Sequence, residues 1–170
     1  MDQPTVELVV RVTARVSAAT FAAALLLFAA GHQRHRRLLA LGTRVFAGFI
    51  VVHTIHFASV VWLAVVTAGE NIRERDGWVV VVTVALVFYT AAFVVLRAWH
   101  DTAMGRSPSR GLHVAGKAAI VVIGAVFLNS YVRRAVQMPV YWLPAAGLAA
   151  AVALYIVRAR RPNVANVHLR

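Results

Sequence analysis

The stretch FIVVHTIHFASVVW, residues 49–62, decides the fold. It is a continuous apolar run that carries two histidines, His53 and His56, three positions apart. The run lies inside a longer apolar segment, residues 41–68, and a helix needs about 20 mainly apolar residues to cross a bilayer. The stretch therefore predicts a transmembrane helix with an ionisable pair inside it.

The rest of the chain has the same apolar character. Of its 170 residues, 61% are hydrophobic, and the mean hydropathy is +0.72. A small soluble domain leaves much of its surface in water and could not bury so much apolar surface. Four further apolar segments, residues 9–30, 78–99, 112–132 and 140–157, are joined by short polar links. We therefore predict an all-α fold, a polytopic integral membrane bundle of five transmembrane helices that forms a single transmembrane domain over residues 1–170.

The distribution of charge predicts the orientation of this bundle. Most of the Lys and Arg residues fall in the two links and the tail on one side, whereas most of the acidic residues fall on the other side. By the positive-inside rule, the protein is a multi-pass protein of the cell membrane with its N-terminus outside and its C-terminus in the cytoplasm. The net charge of +12 flanks apolar spans, so we expect a lipid bilayer with anionic lipids as the partner, and no nucleic acid.

The histidine pair lies near the middle of the bilayer. With a rise of about 1.5 Å per residue, His53 is roughly 18 Å and His56 roughly 22 Å from the cytoplasmic end of its helix. Residues three apart share one helix face, and ionisable groups at this depth usually face the bundle interior. The functional interpretation is an axial ligand for haem b, a ligand for another metal, or a proton-handling group beside a quinone or isoprenoid lipid. The structural interpretation is a pair of neutral histidines hydrogen bonded to neighbouring helices.

Residues at the same depth on other segments are candidate partners of the pair. Tyr89 and Thr90 on the third segment, or Ser17 on the first, offer hydroxyl groups, and Tyr89 or Thr90 would orient an imidazole by accepting its second N–H. Gly124 and other small residues would leave room for a flat prosthetic group, or would serve close helix packing. Because no second histidine lies at this depth on another segment, a haem would need one protein ligand, Tyr89, or a partner chain.

Four further histidines lie near the predicted cytoplasmic face: His32, His35, His100 and His113. Clustered histidines in that position would suit non-haem iron, but their spacing does not match the longer histidine boxes of membrane desaturases. Basic interfacial loops also collect histidines that bind nothing, so the role of these four stays open.

The predicted outer half carries an unusual set of arginines. Glu7, Arg11 and Arg15 recur every four residues on one face of the first segment, so Glu7 can pair with Arg11. Arg15 lies deeper, and Arg133 and Arg134 follow the fourth segment. The guanidinium fork suits a carboxylate or a phosphate, which predicts an anion-binding mouth. The alternative is that these side chains extend to lipid headgroups.

What is missing restricts the function further. Cysteine is absent, which removes disulfides, thiolate metal sites and Cys nucleophiles.

Three hypotheses remain, and whether the protein is an enzyme stays open. The first is a haem- or quinone-linked redox protein, an oxidoreductase with His53, His56 and Tyr89 at its centre. The second is a non-catalytic membrane subunit or lipid-binding scaffold, working as a homo-oligomer or with a partner membrane subunit. The third is a cofactor-free enzyme acting on an isoprenoid or other lipid, with a histidine as acid and base.

Overall fold

Five long helices make up most of the part of the protein that the structure describes. The computed structural model describes residues 3–31, 35–67 and 75–159. The helices are α1 (Gln3–Gly31), α2 (Arg36–Thr67), α3 (Arg75–Ala103), α4 (Arg110–Gln137) and α5 (Trp142–Ala159), and a short 3-10 helix, Pro139–Tyr141, precedes α5. These ranges contain no strand, and each of the five helices is long and apolar enough to cross a membrane. The predicted all-α bundle of five helices is confirmed.

Four of the helices, α1 to α4, are longer than the apolar segments that predicted them, whereas α5 has the predicted length and begins two residues later. Polar residues extend α1, α3 and α4 at both ends and α2 at its start, because backbone hydrogen bonding does not stop where hydropathy falls. The extension of α4 to Gln137 matters most for the candidate sites. It makes Arg133 and Arg134 helical, so they project in directions about 100° apart.

The helices are arranged as a ring in chain order. Each packs against the one before and the one after it, and α5 packs against α1 to close the ring. Neighbouring helices run antiparallel, so the starts of α1, α3 and α5 share one end of the bundle with the ends of α2 and α4. We call this the N-terminal end, and the other the opposite end.

The hairpin of α1 and α2 has the closest packing in the bundle. The two helices share the most extensive contact of any pair, and Gly42 makes their close approach feasible. A Cβ atom at Gly42 would lie 2.9 Å from the backbone nitrogen of Phe28 and 3.3 Å from the carbonyl oxygen of Ala24. Small residues at such positions let membrane helices approach closely.

An aromatic core fills the ring towards the opposite end. Phe28 of α1 stacks on Trp99 of α3 with the ring centroids 4.1 Å apart and the planes at 13°. The indole N–H of Trp99 donates a hydrogen bond of 3.2 Å to the hydroxyl of Tyr155 in α5. Fully buried phenylalanines of α1 and α2 continue this core towards the histidines: Phe21, Phe46 and Phe49. The core therefore fixes the helices directly below the histidine pair.

Candidate intramembrane histidine site

Both histidines of the pair face α1 from the same side of α2. Their ring centroids are 5.7 Å apart and the ring planes are inclined at 50°. Each ring is half-buried, and each places its Nδ1 atom against a hydroxyl of α1. Of the candidate hydroxyls, Ser17 of α1 contacts an imidazole, whereas the second partner is Thr13, also on α1, the helix that packs most closely on α2.

His56 is bound to Thr13. Its Nδ1 lies 3.1 Å from Thr13 Oγ1, and the same hydroxyl donates to the carbonyl oxygen of Val9 at 2.7 Å. A threonine hydroxyl has one proton, and we assign that proton to the Val9 carbonyl because it is the shortest of the Thr13 contacts. Thr13 therefore accepts a hydrogen bond from Nδ1–H of His56, which leaves Nε2 of the neutral ring with its lone pair.

His53 has the reverse arrangement. Its Nδ1 lies 3.0 Å from Ser17 Oγ, and Ser17 is fully buried. The Ser17 hydroxyl has no other hydrogen-bond partner among the described residues. If His53 were the donor, the Ser17 hydroxyl proton would be buried without an acceptor, at a cost of about 1–3 kcal/mol. Ser17 therefore donates to Nδ1, and the proton of the neutral His53 ring sits on Nε2.

A groove between α2, α3 and α4 receives the other side of His53. It has a volume of about 320 Å³, and its lining is almost entirely apolar. Phe88 lies 4.2 Å from the His53 ring and Phe127 lies 5.6 Å away, both as centroid distances. In the described part of the chain, the only buried side-chain nitrogen or oxygen without a hydrogen-bond partner is Asp101 Oδ1, so Nε2 of His53, for which no hydrogen bond is found there, is accessible. Its N–H is available to a molecule in this groove, which we call the His53 groove.

Tyr89 lines the His53 groove but does not bind either imidazole. Its hydroxyl donates to Thr54 Oγ1 at 2.7 Å, and Thr54 in turn donates to the carbonyl oxygen of Ile50 at 2.8 Å. The Tyr89 proton is thus directed to α2, and only the oxygen lone pairs remain for a ligand. Thr90, the next residue, is exposed on the outside of α3 and is not part of the lining.

Gly124 lies at the predicted depth but faces another helix. A Cβ atom there would come within 2.9 Å of Val152 Cγ2 in α5, so Gly124 serves helix packing. On the side of the His53 groove, α4 contributes Ile123 and Phe127 instead. Gly124 therefore opens no gap beside the histidines, and the available space is the His53 groove between α2, α3 and α4.

The described residues provide limited means of holding a metal. No group of three or more His, Cys, Asp or Glu side chains comes together in residues 3–31, 35–67 and 75–159. His53 and His56 lie on one face of one helix, so they cannot be the two axial ligands on opposite sides of one haem iron. A haem here would have one ligand from this pair.

The remaining histidines of the described residues, His35, His100 and His113, lie at the opposite end. His100 Nδ1 is 4.0 Å from Asp101 Oδ1, and that buried carboxylate is held mainly by Arg97, whose Nε lies 3.1 Å from Oδ2. His35 is exposed, His113 opens α4, and His32 lies outside the described residues. Asp101 is therefore part of an ion pair at the end of α3.

Comparison with known protein families, curated proteins and solved structures finds no match to this chain. A proposal for its function therefore rests on the geometry of the chain itself.

The arginines form a second site, on another side of α1. Arg11 pairs with Glu7 at 3.2 Å, and Arg15 Nη2 donates to the hydroxyl of Tyr141 at 3.0 Å. Arg11, Arg15 and Arg134 line a polar cleft of about 350 Å³. Arg133 is exposed and does not line it, because it projects from a different face of α4. The cleft contains neither His53 nor His56, so the arginines and the histidines form separate sites.

Proposed function

We propose that this protein binds a quinone-like lipid in the His53 groove and serves a quinone-linked redox function in the membrane. The observation that carries the proposal is the position of His53 in the lining of an apolar groove, with Nδ1 bound to Ser17 so that Nε2 is the nitrogen left for a ligand. A quinone combines a flat apolar ring with carbonyl acceptors, so it complements one donor among aromatic side chains. The groove volume of about 320 Å³ lies at the lower end of the range of ligand pockets, about 300–1,000 Å³.

The tautomers favour a quinone over haem b. A histidine that ligates a metal usually donates its other N–H to a neighbouring acceptor, which fixes the lone pair on the metal. His53 has the opposite arrangement, since Ser17 donates to it. Ligation through Nε2 would require the proton to move to Nδ1, and would leave the Ser17 hydroxyl without an acceptor. His56 has the arrangement of a ligand, but it does not line the groove.

In this function, the chain would provide the binding site and a partner would provide the electrons. The sequence has no cysteine to relay electrons as a thiol pair. His53 would hold a ring carbonyl, and because His56 does not line the groove, the partner that provides the electrons would also provide the accompanying protons. We further propose the orientation predicted by the charges, with the N-terminus outside the cell membrane and the C-terminus in the cytoplasm.

The separation of the two sites counts against a cofactor-free lipid enzyme that uses both. One substrate would need to contact a histidine and an arginine together, and neither cavity next to the arginines includes His53 or His56. The quinone proposal needs the histidine site alone.

Titration with a short-tailed benzoquinone tests the proposal. In detergent-purified protein, we expect the quinone to bind with measurable affinity, and His53→Phe to weaken binding about tenfold, because it removes one hydrogen bond from an apolar site. His53→Gln keeps an N–H donor and should bind more tightly than His53→Phe. His35→Ala, at an exposed histidine far from the groove, is the matched control. Equal affinities in all four proteins would refute the role of His53.

An absorption spectrum separates the two cofactor hypotheses. Protein expressed with ample haem should be colourless if the groove is a quinone site. A Soret band that disappears in His56→Ala or His53→Ala would favour haem b instead, and would overturn the proposed ligand.

A further inference from the structure

Two adjoining cavities lie between α1, α4 and α5, away from the histidines. The first is the polar cleft lined by Arg11, Arg15 and Arg134, which we call the arginine cleft. The second, of about 410 Å³, is apolar and is lined mainly by small residues of α1 and α5, including Ala18, Ala22 and Gly147. Arg15 and Tyr141 line both cavities, so the two lie side by side against the same pair of residues.

The arginine cleft has an excess of positive charge among the described residues. Glu7 neutralises Arg11, but neither Arg15 nor Arg134 forms an ion pair with a carboxylate in the described part of the chain. Arg15 is instead oriented by the hydroxyl of Tyr141, which fixes one of its nitrogens in the lining of the cleft and leaves other N–H donors for a ligand. Guanidinium groups gathered in this way favour an anion with several oxygen atoms.

The apolar cavity leads from Arg15 towards the middle of the membrane. Ala18 and Ala22 follow Arg15 by three and seven residues, which places them roughly 5 and 10 Å deeper along α1. On the α5 side, a Cβ atom at Gly147 would meet nothing within 4 Å. The cavity is therefore an open apolar channel beside a cationic mouth, with no side chain of its own to fill it.

We propose that these two cavities together bind a lipid with a phosphate head. The phosphate lies against Arg15 and Arg134, and one hydrocarbon chain lies along Ala18, Ala22 and Gly147. The binding chemistry is a phosphate ester on an apolar chain, whether its source is a phospholipid or an isoprenyl phosphate. The inference is independent of the quinone proposal, because the His53 groove shares no lining residue with either cavity.

Calorimetric titration of delipidated protein in a non-ionic detergent tests the site with four probes. Dioctanoyl phosphatidic acid and farnesyl phosphate carry the required chemistry, and the tighter of the two identifies the source. Dioctanoyl phosphatidylcholine, whose head is zwitterionic, should bind at least about tenfold more weakly. Inorganic phosphate should be weaker still. Binding of inorganic phosphate as tight as that of the lipids would overturn the role of the chain, and equal binding of phosphatidylcholine would overturn the role of the charge.

Three matched variants locate the phosphate. Arg15→Gln and Arg134→Gln should each weaken binding of the tighter lipid about tenfold, because each removes a charged donor. Arg133→Gln changes the net charge equally at the neighbouring position, outside the cleft, and should leave the affinity unchanged. An equal loss in all three would mean attraction to the general surface charge, and would refute a defined site.

A substitution in the apolar cavity locates the hydrocarbon chain. Gly147→Leu places a side chain in the open channel without backbone overlap, so the helix remains intact and lipid affinity should fall about tenfold. Gly48→Leu, on an exposed part of α2 with nothing within 4 Å, is the control. If Gly147→Leu elutes from a size-exclusion column as the parent does and binds the lipid with unchanged affinity, the hydrocarbon chain does not lie in this cavity.

Discussion

At the scale of single residues, two identical side chains in one membrane helix have different hydrogen-bonding roles. The difference arises on α1, where Thr13 has its proton directed to Val9, whereas Ser17 is buried with His53 as its partner. His56 is consequently a donor to α1 and His53 an acceptor from it. In the apolar interior this assignment is stable, because a buried polar group without a partner is costly.

The first prediction concerns these tautomers. In protein labelled with ¹⁵N-histidine and reconstituted in bilayers, solid-state NMR should find the proton of His53 on Nε2 and that of His56 on Nδ1. The variants His53→Gln and His56→Gln assign the two signals by their disappearance. Detection of the same neutral tautomer at both positions would contradict the arrangement.

The second prediction separates the two hydroxyls. Ser17→Ala removes the donor that fixes the His53 ring, so affinity for the short-tailed benzoquinone should fall about three- to tenfold. Thr13→Val removes the partner of His56, which does not line the groove, and the affinity should stay the same. A larger effect from Thr13→Val than from Ser17→Ala would exchange the roles that we assign to the two histidines.

At the scale of elements, the hairpin of α1 and α2 positions the histidine site. Ser17 and Thr13 reach the two rings because α1 and α2 approach closely, and that approach depends on Gly42 against the backbone of Phe28. Gly42 is about three turns from His53, so the hairpin transmits its spacing along the helices to the hydrogen bonds at 3.0 and 3.1 Å.

The third prediction tests this spacing. Gly42→Ala adds a Cβ atom only 2.9 Å from a backbone nitrogen, and neither backbone can yield without moving its helix. We expect destabilisation of about 1–3 kcal/mol, as for other overpacked sites, measured as a lower Tm in detergent. Gly48→Ala on the same helix meets nothing within 4 Å and should be neutral or slightly stabilising. The same Tm for both variants would mean that the close approach at Gly42 is dispensable.

At the scale of the whole molecule, the ring presents two sites on different sides of one small bundle. The His53 groove lies between α2, α3 and α4, and the arginine cleft lies at the N-terminal end. If that end is outside, as the charges predict, the phosphate head of a bound lipid belongs to the outer leaflet, and the quinone ring lies midway across the membrane.

The fourth prediction checks the orientation. Because the chain has no cysteine, single-cysteine variants need no background changes. Thr5→Cys at the start of α1 should react with a membrane-impermeant maleimide in intact cells. Ser107→Cys, in the link between α3 and α4, should react only after the membrane is opened. The reverse labelling pattern would show that the bundle has the opposite orientation, with the phosphate head in the cytoplasmic leaflet.

The sequence predicted the helices and the depth of the polar residues, but not their rotation about the helix axes. Hydropathy encodes the number of spans directly, and counting along the axis brought Ser17 to the level of His53. The same count put Tyr89 and Gly124 at that level, yet Tyr89 binds Thr54 and Gly124 packs on Val152. A change of one residue rotates a side chain by about 100° around the helix axis. Packing between helices sets the rotation of each helix, and a single sequence does not show that packing.

The Arg133 and Arg134 pair illustrates the same limit. The two arginines are chemically identical neighbours, and the sequence predicted both to lie at the anion-binding mouth. Only Arg134 lines the cleft with Arg11 and Arg15. Thr13 was missed because the sequence does not show which face of α1 packs on α2. The signal was its spacing: Thr13 lies one turn before Ser17, which matches histidines at i and i+3 on an antiparallel helix.

Closure of the ring between α1 and α5 has a consequence for biosynthesis. Ser17 and His53 are 36 positions apart, whereas Arg15 and Tyr141 are separated by 126. During translation, the first pair can meet as soon as α2 has entered the bilayer, but the second must wait until nearly the entire chain has left the ribosome. A nascent chain arrested before Pro139 should therefore already hold His53 against Ser17, while Arg15 still has no Tyr141 to orient it.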